Sequence, residues 1–239
     1  FGGGPSISAA TEEFSTTTVV GAWSTGGDLN TGRSHLAGAG TQTAGLAFGG
    51  RTPPYSALTE KYNGSTWTEV NDLNTARDRL AGCGTQTAAL AFGGAYPGTA
   101  VTESYNGTNW TEVNDLNLAR FRLAGAGTNT SALGFGGYGP LTRAETELWN
   151  GTNWTEVNDL NTARYALAGA GASNTSALAF GGDSGSVSAL TETWNGTNWT
   201  EVGDLNIARS YLAGAGTNTA ALAFGGEGPA TVVAVTESW

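Results

Sequence analysis

The residues equipped for chemistry are few. His35 is the single histidine and Cys83 the single cysteine, so neither a multi-histidine metal centre nor a thiolate cluster can be assembled, and no cofactor is expected. A nucleophilic triad would have to run through His35, which no nucleophile motif accompanies. His35 reads instead as a polar residue at the entrance to a strand. Carboxylates are more plentiful, and two at a suitable separation suffice for glycoside hydrolysis. Most of the acids recur at fixed intervals along the chain. Those outside that pattern are Asp78, Glu145, Asp183 and Glu227, which share no common spacing. Asn71-Asp-Leu-Asn74 lacks the ligand spacing of a calcium loop. The first expectation is a non-enzymatic protein, with a glycoside hydrolase as the catalytic alternative.

The charge balance narrows the partners. Acids outnumber bases 20 to 10 in 239 residues, the net charge is -10, and Lys61 is the only lysine. The clustered basic residues that nucleic acid phosphates and anionic membranes demand are missing, so neither nucleic acid binding nor membrane insertion is expected. Gly numbers 38, Met is absent and only 13% of the residues are charged, which favours turn-rich β structure over long helices. With one cysteine there is no internal disulfide, and an extracellular setting stays open.

The elements that position these residues are repeated. Phe-Gly-Gly begins at Phe1, Phe48, Phe92, Phe135, Phe180 and Phe224, at spacings of 47, 44, 43, 45 and 44. Trp23, Trp67, Trp110, Trp154 and Trp199 keep the same period, as do Arg33, Arg77, Arg120, Arg164 and Arg209. Each copy holds four strand signals separated by turn signals: Leu80 to Thr85, Ala88 to Phe92, Val101 to Tyr105 and Trp110 to Val113 in one copy. Asn106-Gly107 joins the last two as a tight hairpin and recurs as Asn63-Gly64, Asn150-Gly151 and Asn195-Gly196. The aromatic before each turn and the Trp after it are expected on one sheet face.

A four-stranded antiparallel sheet of this size has two faces to cover and an exposed edge. Radial stacking covers the faces, and the expected fold is all-β: a five-bladed β-propeller of four-stranded antiparallel blades, one domain over residues 1–239. The Gly- and Ala-rich first strand suits the axis, and the repeated Trp residues suit the contacts between blades. Trp23 is expected to supply the strand that the last copy lacks, so that the two ends share one blade. Thr11-Glu-Glu-Phe14 duplicates the third strand already present as Thr236-Glu-Ser-Trp239, which leaves residues 1–14 as an extra N-terminal arm or strand. The repeat is cut at both ends, as expected of part of something longer. Each repeated Arg is expected to pair with a repeated carboxylate, from the set Asp28, Asp72, Asp115, Asp159, Asp204 or the set Glu60, Glu103, Glu147, Glu192, Glu237.

These features resemble the kelch repeat family: an apolar strand ending in Gly-Gly (Leu90-Ala-Phe-Gly-Gly94), an aromatic before a turn (Tyr105), a Trp after it (Trp110) and an Arg opening the next copy (Arg120). The wording Asn-Asp-Leu-Asn-Thr-Ala-Arg followed by Leu-Ala-Gly is similar to kelch-like proteins of marine bacteriophages. That resemblance implies a propeller on an extracellular or virion surface.

Function is sought where the copies differ. The loops between second and third strands vary most, as do the two residues after each repeated Arg, and both segments are expected on one rim of the propeller. That rim collects Arg51, Tyr55, Arg79, Tyr96, Phe121, Arg122, Tyr138, Arg143, Tyr165 and Tyr211, the residue types that dominate interface energies and that stack on sugar rings. They are the expected ligand-binding residues for a cell-surface glycan or protein receptor, in an adhesin or appendage domain. The alternative is a structural building block of a virion, fibre or surface assembly, joined by self-association or by other virion proteins.

Overall fold

The computed structural model describes residues 9–15 and 22–239. The Phe-Gly-Gly at Phe1 and most of the irregular stretch after Ser15 lie outside them. An N-terminal hairpin pairs β1 (Glu12–Ser15) with β2 (Ala22–Thr25). Blade one follows as β3 (Ala37–Thr41), β4 (Ala44–Phe48), β5 (Thr59–Tyr62) and β6 (Trp67–Val70). Blade two is β7 (Ala81–Thr85), β8 (Ala88–Phe92), β9 (Thr102–Tyr105) and β10 (Trp110–Glu112). Blade three is β11 (Ala124–Thr128), β12 (Ser131–Phe135), β13 (Thr146–Trp149) and β14 (Trp154–Val157). Blade four is β15 (Ala168–Ser173), β16 (Ser176–Phe180), β17 (Thr191–Trp194) and β18 (Trp199–Glu201). Blade five is β19 (Ala213–Thr217), β20 (Ala220–Phe224) and β21 (Thr236–Ser238). The fold is an all-β propeller of five antiparallel blades, and its first strands pack side by side from β3 through β7, β11 and β15 to β19.

Each hairpin forms for the reason its sequence states. Asn63 Oδ1 accepts the N–H groups of Ser65 and Thr66 at 3.0 and 2.9 Å, closing the turn locally, and Asn106, Asn150 and Asn195 do the same. The turn fixes the register, so Tyr62 lies directly opposite Trp67, Tyr105 opposite Trp110, Trp149 opposite Trp154 and Trp194 opposite Trp199. Blade four carries one extra residue, and its β15–β16 register shifts between Ala170 and Ser173 to absorb it.

Adjacent blades interlock through rings. Trp110 of blade two stands on Phe48 of blade one, ring centroids 4.9 Å apart, and its Nε1 donates to Thr59 Oγ1 at 3.0 Å. Trp154 repeats this on Phe92 and Thr102, and Trp199 on Phe135 and Thr146. Each Trp buried this way contributes at most roughly 4–6 kcal/mol by area. The same Phe rings explain the glycines of the first strands. A Cβ on Gly125, Gly169 or Gly214 would lie 2.7 Å from the Cζ of Phe92, Phe135 or Phe180 in the preceding blade. The small residues therefore admit a neighbour's ring, a more specific need than crowding at the axis.

A second device ties each blade to the segment entering it. Arg77 is fully buried; its Nη1 donates to the carbonyls of Gly93 and Val101, and its Nη2 reaches Glu103 at 3.0 Å. Arg33, Arg120, Arg164 and Arg209 bind Glu60, Glu147, Glu192 and Glu237 at 2.8 to 3.0 Å. The other oxygen of Glu103 accepts the backbone and side-chain N–H groups of Asn74, both within 2.8 Å. The repeated Asp has a different task. Asp72, Asp115, Asp159 and Asp204 each accept the N–H that opens the third strand, at 3.0 to 3.1 Å. Two carboxylates that look interchangeable in the repeat thus divide into an ion-pair partner and a strand-opening acceptor.

The seam between the chain ends differs in detail from the shared blade expected. Among the described residues β21 pairs with β20 alone and β2 with β1 alone. The duplicated third strand is the reason: β1 stands next to β2 in sequence, and a local hairpin forms more readily than a closure across the whole chain. The segments flanking the hairpin lie against blade one, where the Leu29 N–H donates to the Ala9 carbonyl at 2.9 Å and Leu29 packs with Tyr62 and Trp67. Cys83 faces the central cavity and is buried, and burial pushes its thiol up to about 12.

Removing one charge from a buried pair should expose its cost. Glu147→Gln leaves the Arg120 guanidinium without its carboxylate and is expected to lower unfolding free energy by about 3–5 kcal/mol in a urea titration. A loss below about 1 kcal/mol would mean that the pair does not hold the blade.

Candidate functional site

The two variable segments of each blade meet on one rim. Backbone bridges join Ser34 to Arg51, Phe121 to Tyr138, Tyr165 to Asp183 and Ser210 to Glu227, so the loop between second and third strands lies against the residues after the repeated Arg. The buried Arg is what places them: it fixes the connection, and the next two residues emerge at the mouth of the propeller.

The second of those residues has the same unusual backbone in every blade. His35, Arg79, Arg122, Ala166 and Tyr211 all have φ between 52° and 56°, a left-handed conformation that side-chain-bearing residues seldom adopt. Consecutive members are linked: the N–H of Arg79 donates to the His35 carbonyl at 2.9 Å, Arg122 to Arg79 at 2.8 Å, Ala166 to Arg122 at 2.9 Å and Tyr211 to Ala166 at 2.8 Å. These bonds hold the five positions as an arc around the mouth. Within it the side chains differ from blade to blade.

Eight of the ten expected residues line one cleft of about 650 Å³: Arg51, Tyr55, Arg79, Tyr96, Phe121, Arg122, Tyr138 and Tyr165. The rings run edge to face along it, with centroids 5.7 Å apart for Tyr96 and Phe121, 5.6 Å for Phe121 and Tyr138, and 5.3 Å for Tyr138 and Tyr165. Tyr96 is 68% exposed, which leaves its face free to stack. Among the described residues no carboxylate lines this cleft. Tyr211 lines an adjoining cavity of about 430 Å³ with His35, Arg79, Arg122 and Glu227. Arg143 lines neither; it binds Glu145 at 3.0 Å, two residues along the chain.

Arg122 sits where the two cavities meet. Its guanidinium carbon lies 4.9 Å from the centroid of Tyr211, 5.6 Å from Tyr165 and 5.7 Å from Phe121. Among the described residues it has no salt-bridge partner, and its Nε is buried without an acceptor. Arg79 is neutralised by Asp78 at 3.1 Å, and that carboxylate is sealed from solvent. The local field is positive, and His35 registers it. Burial lowers the His35 pKa first, and Arg79, Arg122 and Arg51 lower it further against the opposing pull of Asp78. Tyr165 and Tyr211 are raised, by burial first.

His35 and Glu227 line the site without having been assigned to it from sequence. The signal was present, since both belong to the variable segments. Of the four acids outside the repeat pattern, only Glu227 lines either cavity, and Asp78 is fully buried.

If Arg79 sets the field at His35, Arg79→Gln should raise the His35 pKa measured by NMR titration, because a lowering charge leaves while Asp78 stays. An unchanged titration would show that Arg79 does not set it.

No protein-family model matches the chain, and no curated protein does. Solved structures do match. That of YjhT superposes with a TM-score of 0.80 at 14% identity, covering 96% of this chain and 88% of YjhT. At that identity the likeness shows the fold, and YjhT is a propeller as this chain is.

Proposed function

We propose that this propeller is a non-enzymatic recognition module that binds a cell-surface carbohydrate, or an acidic surface of a protein receptor, in the cleft of its variable rim. The observation that carries this reading is the lining of the cleft: three guanidiniums and five aromatic rings with no carboxylate, in a protein of net charge -10. Tyrosine faces stack on the C–H faces of sugars, and a guanidinium grips a carboxylate or sulfate through two parallel hydrogen bonds. An anionic saccharide matches both. Kelch-type wording and the likeness to marine phage sequences favour an adhesin or appendage domain on an extracellular or virion surface, where several copies would raise weak affinity by avidity. Glycoside hydrolysis, the catalytic alternative, would need a second carboxylate beside Glu227, and among the described residues Glu227 is the one carboxylate lining the two cavities.

The test is a triple variant read on glycan arrays and on host cells. Because Arg122 has a left-handed backbone, Asn is the replacement that keeps the fold, giving Tyr96→Ser, Tyr138→Ser and Arg122→Asn together. Binding is expected to fall at least about a hundredfold, roughly 2.7 kcal/mol, with thermal unfolding within a few degrees of the parent. Undiminished binding would remove the cleft as the site, and release of sugar products would replace recognition with catalysis.

A further inference from the structure

The cavity that adjoins the cleft holds opposite charges that do not meet. Arg122 and Glu227 both line it, yet no salt bridge joins them among the described residues. Both act on Tyr211, whose pKa is raised by burial first, lowered by Arg122 and raised by Glu227. The charges of the variable rim also divide by blade once its two ion pairs, Arg79 with Asp78 and Arg143 with Glu145, are set aside. Arg51 of blade one and Arg122 of blade three are left, with Asp183 of blade four and Glu227 of blade five. Asp183 lines neither cavity and closes its own loop, accepting the Gly185 N–H at 2.7 Å. Glu227 is therefore the acid that faces Arg122 across this space.

Each of the two is held in place by something other than the opposite charge. The rings of Tyr211, Tyr165 and Phe121 crowd the Arg122 guanidinium and fix its orientation, and a guanidinium held against rings keeps its in-plane N–H groups for an oxyanion. The buried Nε of Arg122 has no acceptor. Glu227 is anchored by its backbone, which exchanges hydrogen bonds with Ser210 at 2.7 and 2.9 Å, while the residue itself is exposed. Ala166, which separates Arg122 from Tyr211 along the arc, adds only a methyl group. The resulting space of about 430 Å³ is of the size that small ligands occupy.

We propose that this cavity is a subsite for a zwitterionic sugar, whose acidic group lies on Arg122 and whose ammonium lies on Glu227. The proposal rests on the reading of the rim as a carbohydrate site and adds which saccharides it selects. A carboxylate, sulfate or phosphate offers the pair of oxygens that a guanidinium takes edge-on, and an ammonium makes a charge-assisted bond to the facing carboxylate. A sugar with the acidic group alone leaves Glu227 without a counter-charge. One with the ammonium alone leaves Arg122 so. Selection thus comes from the mismatch as much as from the match.

Four matched probes separate the contributions: sulfated glucosamine, sulfated N-acetylglucosamine, and the same two sugars without sulfate. Each is titrated into the full chain just below neutral pH, where the free amine is charged, and followed by NMR. Sulfated glucosamine should bind about tenfold tighter than its N-acetylated counterpart. Glu227→Gln should bring these two within about twofold of each other. Arg122→Asn should weaken both sulfated sugars and leave the preference for the amine. Thermal unfolding of both variants confirms that they fold. Equal binding of the two sulfated sugars by the parent, or a preference for the amine that survives Glu227→Gln, would overturn the subsite and leave the anionic reading of the cleft standing. Binding of none of the four would also overturn it, and an acidic oligosaccharide that still shifted the tyrosines of the cleft would show that the cleft reading survives.

Discussion

Every blade hangs on a buried guanidinium. Placing Arg33, Arg77, Arg120, Arg164 and Arg209 out of water is costly, and burial lowers the pKa of each while the paired Glu opposes the shift. The cost is offset by full use of the geometry: two carbonyls on Nη1, a carboxylate on Nη2, and an Asn closing the other carboxylate oxygen. Each Nε remains buried without an acceptor, a penalty repeated in all five copies. What results is directional. The ion pair locks the segment entering a blade to its second and third strands, so the residues after the Arg leave the core at a fixed point.

That fixed point turns a monotonous repeat into a specific surface. The left-handed arc from His35 to Tyr211 has the same backbone in each blade and different side chains on it. The buried framework and the proposed recognition surface therefore occupy separate positions, and the rim residues vary while the core residues repeat. Charge follows the same division. Five of the ten basic residues are the repeated Arg paired with the repeated Glu, and four of the remaining five are on the variable rim: Arg79 paired with Asp78, Arg143 paired with Glu145, and Arg51 and Arg122. The positive charge at the cleft comes from Arg51 and Arg122, neither of which has a salt-bridge partner among the described residues.

Much of this was legible in the sequence because repeats average out local ambiguity. Asn-Gly four times over specified the hairpins, and the hairpins specified the Tyr–Trp and Trp–Trp pairs. Comparing copies located the rim, and eight of its ten nominated residues share one cleft. The remainder depended on contacts that no spacing encodes. Gly125 looks like a residue of the axis, yet its smallness answers a ring from the preceding blade. Asp72 and Glu60 look equivalent, yet only three-dimensional placement shows that the Glu meets the Arg. Arg143 reads like Arg122 until Glu145, two residues on, takes it. His35 gained its place from a left-handed backbone shared with four unlike residues, a pattern visible only in dihedral angles.

The most direct measurement is NMR mapping of an acidic oligosaccharide titrated into the labelled protein, with its neutral counterpart as control. The account predicts ligand-dependent shifts at Arg122, Arg79, His35 and the tyrosines of the cleft for the acidic sugar, with weaker ones for the neutral sugar. Shifts confined to the Asn-Gly-Thr turns of the opposite rim would contradict it.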